Sequence, residues 1–179
     1  GSGSLVFSKV QKFGPEIDEL WSRVRHRYPV TIRRNSAYLN WRFADNPLSK
    51  YQMFMTQNNN LIKSLVVLRI EEVRAEKPLG VRAGRIIDYL SDGEGDIFTL
   101  SKTVEYCRDD GVDFIDYFSS GHFGDVFREF GFAQGDDKHY DSLPILFNPM
   151  SLRRTHLNFA VKLSDNLFKK EALDLENWY

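Results

Sequence analysis

The chain has 179 residues, 42% of them hydrophobic and 14% aromatic, which is enough apolar mass for one domain, or one domain with an appendage. A formal net charge of -1 argues against a dedicated nucleic-acid binder, and the single cysteine, Cys107, excludes an intramolecular disulfide and suits a reducing, cytoplasmic setting. No apolar run approaches the roughly 20 residues needed to cross a bilayer, so no membrane span is expected.

Gly1-Ser2-Gly3-Ser4 reads as a linker and is set aside. A helix is expected over residues 15–28, with Pro15 near its first turn. Ile17, Leu20, Trp21 and Val24 follow helical spacing and should face the core. Arg23, Arg25, His26 and Arg27 fall between or after them. Arg33-Arg34 could meet a phosphate, a carboxylate or an acidic sugar bidentately, or simply be solvated or salt-bridged to the chain's own acids. A second helix should begin with Asn35 or Ser36 as its cap and end before Pro47. Residues 51–56 and 61–73 read as an antiparallel hairpin around the polar turn Gln57-Asn58-Asn59-Asn60. Residues 74–82, charged and carrying Pro78 and Gly80, read as a solvated loop.

The most informative stretch runs from Gly84 to Phe132. Arg85-Ile86-Ile87-Asp88-Tyr89-Leu90 is a β-rich run that meets Ser91-Asp92-Gly93-Glu94-Gly95-Asp96, followed by a helical pattern from Ile97 to about Arg108. A second apolar run, residues 112–118, follows Asp110-Gly111, and a short helix is expected over residues 122–130. Strands alternating with a helix of this length imply a crossover and locally parallel pairing. A glycine loop entering a helix N-terminus can hold an anion on free backbone N–H groups, so a phosphate-bearing cofactor is the first functional expectation. Residues 138–140 and 145–147 read as a further strand pair.

This order resembles the second half of the GNAT acetyltransferase fold, and Phe127-Arg128-Glu129-Phe130-Gly131-Phe132 is similar to that superfamily's habit of closing a helix on Gly-Phe. Upstream, Arg34-Asn35-Ser36-Ala37-Tyr38-Leu39-Asn40-Trp41-Arg42-Phe43, followed by Pro47 and Tyr51, resembles the C-terminal module of two-lobed GNAT-like proteins associated with polysaccharide biosynthesis. The resemblance covers about residues 13–147. It implies an α/β fold: a mixed, mostly antiparallel sheet of six or seven strands flanked by helices, with one splayed parallel pair, over residues 5–150. Residues 151–179 would be an extension packed on it, and residues beyond Trp178-Tyr179 are expected in relatives. The implied activity is acyl transfer from acetyl-CoA or another acyl-CoA to an amine or hydroxyl of a sugar or other small molecule. The implied partner is an N-terminal GNAT lobe of the same native chain.

Carried onto this sequence, the cofactor loop would be Asp92, Gly93, Glu94, Gly95 and Asp96. The family's loop opens on Gln or Arg, where this chain has Leu90, and three carboxylates surround the expected phosphate position, repelling it. An ordinary acidic turn, with Asp96 capping the next helix, is the alternative. The tyrosine that serves the family as general acid falls at Phe127, or within one residue of it at Val126 or Arg128, and Phe127 has no proton to give. Asp116, Tyr117, His139 and Tyr140 remain as acid–base candidates. Ser119-Ser120-Gly121-His122 reads better as a helix cap than as a nucleophilic pair, Cys107 as a buried structural thiol, and Arg42 as a brace of the fold. The four histidines are scattered, and no metal site is expected. The residues thus leave two readings open: a catalytic lobe, or a supporting lobe or interaction module without catalysis.

Overall fold

The continuous apolar runs Met53-Phe54-Met55 and Leu65-Val66-Val67-Leu68 place the middle of the sheet where both its faces are covered. This computed structural model describes residues 3–28, 31–73, 80–117 and 124–132. Strands β1 (Leu5–Val10), β2 (Gln52–Asn58), β3 (Leu61–Glu72) and β4 (Arg82–Ser91) pair successively and antiparallel. Strand β5 (Phe114–Tyr117) adds parallel to β4, giving the spatial order β1-β2-β3-β4-β5. The mixed sheet with one parallel pair is therefore the expected one, with five strands among the described residues. The expected strands at 138–140 and 145–147, the extension 151–179 and the Ser119–His122 turn lie outside those residues.

Helix α1 (Glu16–Val24) continues into a 3-10 turn at Arg25–Arg27 and buries Ile17, Leu20, Trp21 and Val24, the four positions that periodicity selects. Helix α2 (Ser36–Leu39) runs straight into a π-helical turn at Asn40–Ala44. Asn35 is its cap, accepting the Tyr38 N–H at 3.0 Å. Asn40 exchanges two hydrogen bonds of 2.8 Å with the Phe13 backbone and so staples this segment to the start of α1. The turn buries Phe43 and leaves Trp41 69% exposed beside Tyr38. Arg42 donates to the Tyr38 hydroxyl and lies over the Phe43 ring, bracing the turn from its solvent side.

Helix α3 (Asp96–Asp109) crosses from β4 to β5 and packs on β3 through hydroxyls as well as carbons. Thr99 Oγ1 lies 2.6 Å from Thr56 Oγ1 and 2.5 Å from Ser64 Oγ, all three side chains being fully buried. Helix α4 (Gly124–Glu129) ends on Gly131 at φ 79°, a left-handed conformation that glycine adopts without a Cβ penalty. The Gly131 N–H reaches Arg128 O, the Phe132 N–H reaches Phe127 O, and the Phe127 and Phe132 rings meet edge-to-face at 5.1 Å. The Gly-Phe ending is thus a helix stop sealed by an aromatic contact.

The segment sequence reading overlooked is β1. Six residues with polar Ser8 and Lys9 among them are too short and too mixed to distinguish from a linker, yet they pair along the whole of β2.

Candidate functional site

Strand β4 is the frame of the site. Its parallel pairing with β5 spans only Ala83–Ile86 against Phe114–Tyr117, and a bulge at Ile87 interrupts its ladder with β3. Beyond Ile86 it runs on through Asp88, Tyr89 and Leu90 into the glycine junction, without β5 as a rung partner. This is the strand–loop–helix arrangement expected from sequence.

The junction turns sharply. Gly93 stands at φ 97°, and a Cβ there would lie 3.5 Å from Arg27 Nη1. A Cβ on Gly95 would meet Lys63 Cβ at 2.9 Å and Ser64 Oγ at 3.1 Å, so glycine lets the start of α3 sit directly on β3. Gly95, not Asp96, is the capping residue of α3. Asp96 instead sits in the first turn and accepts the buried Tyr89 hydroxyl at 2.6 Å, which corrects the capping role expected for it. Burial and the Asp96 charge together push the Tyr89 phenol well above its ordinary value of 10.0.

The acids of the loop are already engaged. The Glu94 N–H donates to Asp92 Oδ1 and the Gly93 N–H to Ser91 Oγ, both at 3.0 Å. Lys63, on β3 and largely buried, binds the Glu94 carboxylate and lies 3.4 Å from Asp92 Oδ2. Arg23 lies 3.6 Å from the same Asp92 oxygen and donates to Ile62 O, while Arg27 donates to Ser91 O at 3.0 Å. The hydrogen bond from Lys63 pulls the Glu94 carboxyl below its ordinary 4.5, and the same bond raises the Lys63 ammonium above 10.5 against the cost of burial. In outline the junction fits a pyrophosphate: a glycine turn, a long helix and three nearby cations. In charge it is already filled, because two of its amides and its buried lysine are taken by its own side chains.

The acid–base candidates divide. Asp116 and Tyr117 lie on β5; His139 and Tyr140 lie outside the described residues. Asp116 faces Arg85 across the parallel rung and receives Nε at 2.7 Å and Nη2 at 2.5 Å. Arg85 has no exposure at all, and Asp116 is nearly as buried. Burial pushes the Asp116 carboxyl above its ordinary 3.8, against the opposing pull of the guanidinium. The Tyr117 ring stacks on Phe127 at 4.6 Å and meets Tyr89 edge-on. Phe127, in the family acid's position, is a buried packing residue at the centre of this aromatic group. Arg34 is likewise occupied: its Nε bonds Asp88 Oδ2 at 3.2 Å and its guanidinium lies over Tyr28, whereas Arg33 is exposed. Cys107 is buried and its thiol is pushed up to about 12, as a structural thiol should be. Among the described residues no cluster of side chains could hold a metal ion, and no helix is long and apolar enough to cross a membrane.

Sequence reading missed Lys63 and Arg85. Neither carries a local signal; each matters only through a partner 31 residues away.

No protein-family model matches the sequence, and no curated protein matches it significantly. Solved structures do match. A predicted acetyltransferase from Clostridium acetobutylicum, determined with acetyl-CoA, is similar at 17% identity over 75% of this chain and 93% of its own, with a TM-score of 0.50. An aminoglycoside acetyltransferase from an uncultured soil metagenomic sample, in complex with trehalose, matches at 11% identity over 88% and 97%, TM-score 0.51. A transcriptional regulator from Bacillus halodurans matches at 10% identity over 75% and 96%, TM-score 0.53. At these identities the likeness concerns the fold, which is that of the GNAT acetyltransferases.

Proposed function

We propose that this domain is a supporting lobe of a larger acyl-CoA-dependent acyltransferase, whose catalytic loop lies on an N-terminal GNAT lobe of the same native chain. The reaction would transfer an acyl group from acetyl-CoA or another acyl-CoA to an amine or hydroxyl of a sugar or small metabolite, in cytoplasmic polysaccharide biosynthesis. The observation that carries the reading is the self-satisfied junction, in which Lys63 and the Gly93 and Glu94 amides are bound by the chain's own side chains. Phe127 in place of a proton donor and Asp116 held by Arg85 point the same way. The acetyl-CoA bound in the Clostridium structure and the trehalose bound in the soil acetyltransferase are consistent with an acyl-CoA and a sugar as ligands of this fold. Fold likeness extends to a transcriptional regulator as well, so activity must be argued from the site.

Calorimetric titration with acetyl-CoA and free CoA tests the reading. A supporting lobe gives no saturable heat below millimolar ligand. Micromolar saturable binding, weakened by Gly95→Trp, would make this lobe the cofactor-binding one and sink the reading. The alternative, a non-catalytic GNAT-fold interaction module, is favoured by one observation, the 69% exposed Trp41 on its π-helical turn. It requires that the full native chain transfer no acyl group at all.

A further inference from the structure

The charges at the junction are unequal in kind. Lys63 is anchored: its side chain is 10% exposed and rises from the first residues of β3. The carboxylate that binds it belongs to Glu94, whose side chain is 74% exposed and sits on a turn. Asp92 is fixed from below by Lys63 and Arg23, and from its own loop by the Glu94 N–H. Asp96 is spent on Tyr89. Two carboxylates, Asp92 and Glu94, therefore stand against three cations, Lys63, Arg23 and Arg27, and only Glu94 is free to swing into solvent without unmaking a packed contact.

We infer that Glu94 is the specificity-determining residue of this junction: its carboxylate occupies the position on Lys63 that a phosphate oxygen would otherwise take, and so excludes phosphate-bearing ligands. The inference rests on the supporting-lobe reading and gives its physical cause, which is one exposed side chain rather than a misshapen loop. An internal carboxylate competes at an effective concentration no dilute ligand matches, and its charge repels an incoming anion as well. Glycines 93 and 95, the left-handed turn and the orientation of α3 are all in place without it.

Titration of the full chain with inorganic pyrophosphate, and separately with CoA, tests this on the wild type and three variants. Glu94→Gln changes an exposed side chain and should leave the fold untouched. It should bind pyrophosphate about tenfold more tightly than wild type. Asp92→Asn added to it keeps the Oδ1 acceptor for residue 94 and should gain about another tenfold. Lys63→Met added to Glu94→Gln should return affinity to the wild-type level. Glu94→Gln binding no better than wild type overturns the inference, as does a gain that survives Lys63→Met. The wild-type titration is read separately: micromolar binding of CoA there refutes the supporting-lobe reading, while the differences between variants decide the role of Glu94 in either case.

Discussion

Removing Arg85 and removing Asp116 should destabilise the fold by similar amounts near neutral pH, but only the first defect should ease in acid. The two side chains share two short hydrogen bonds, Arg85 is fully buried and Asp116 is 8% exposed. Deleting one partner of such a pair leaves an uncompensated charge and costs about 3–5 kcal/mol. With a urea slope of about 2 kcal/mol per molar, the midpoint falls by about 2 M. The stranded groups differ in what they can do next. In Arg85→Met the abandoned carboxylate can take a proton. Its folded pKa, already raised by burial, rises further once the guanidinium is gone, while the unfolded value stays near 3.8. The folded chain then binds that proton more tightly than the unfolded chain, so stability falls as pH rises through the window between the two values. The slope is about 1.4 kcal/mol per pH unit. The defect of Arg85→Met should therefore shrink between pH 7 and pH 5, by at most that slope. In Asp116→Leu the guanidinium loses that carboxylate but cannot deprotonate, and the defect should stay constant over the same range. Urea titrations of wild type and both variants at pH 5 and pH 7, followed by tryptophan fluorescence, measure this directly. Arg85→Met losing less than about 1 kcal/mol at pH 7, or showing the same defect at both pH values, would refute the reasoning. The double replacement Arg85→Met/Asp116→Leu should recover most of the loss, since an apolar pair suits the same volume.

Thr99→Val should cost about 2–4 kcal/mol in chemical denaturation, because the Thr56 and Ser64 hydroxyls lose their shared partner in a fully buried site; Thr99→Ser should cost about 1 kcal/mol. Gly95→Ala should destabilise by about 1–3 kcal/mol, since its Cβ would meet Lys63 Cβ at 2.9 Å, and an unchanged melting temperature would show that β3 gives way more easily than argued. Native Cys107 should resist a thiol reagent at pH 8 and react fully in denaturant. Its thiol at about 12, against the ordinary 9.0, carries about a thousandfold less thiolate, and rapid native labelling would contradict its burial. Trp41→Ala should leave stability within about 0.5 kcal/mol, whereas Phe43→Ala should cost about 3–5 kcal/mol, as their opposite exposures require.

Much of this architecture was legible in the residues because its signals are local. Ile17, Leu20, Trp21 and Val24 repeat at helical spacing, Asn35 is a cap by chemistry, and the run from Arg85 through Gly95 to Tyr117 alternates β and α segments of crossover length. The site was half legible. Gly93 and Gly95 announce a tight junction, but the carboxylates around them read as bare repulsion until Lys63, Arg23 and Arg27 arrive from β3 and α1. Asp116 read as an acid–base candidate, because nothing in its neighbours says that the parallel register sets Arg85 beside it. Periodicity tells which face a residue takes; it does not tell what waits on that face.

The sheet is laid down in the order in which its strands are written: β1, β2, β3, β4, then β5. Among the described strands, a chain synthesised from its N-terminus would therefore present each new one to a neighbour that has already left the ribosome. The four-strand antiparallel body can mature early, on contacts that are mostly close in sequence. Of the described strands the four-residue β5 docks last, after α3 has crossed, on the shortest of their ladders. Slow hydrogen exchange should accordingly be deepest along β3 and shallowest on β5, so that the parallel ladder opens before the antiparallel ones.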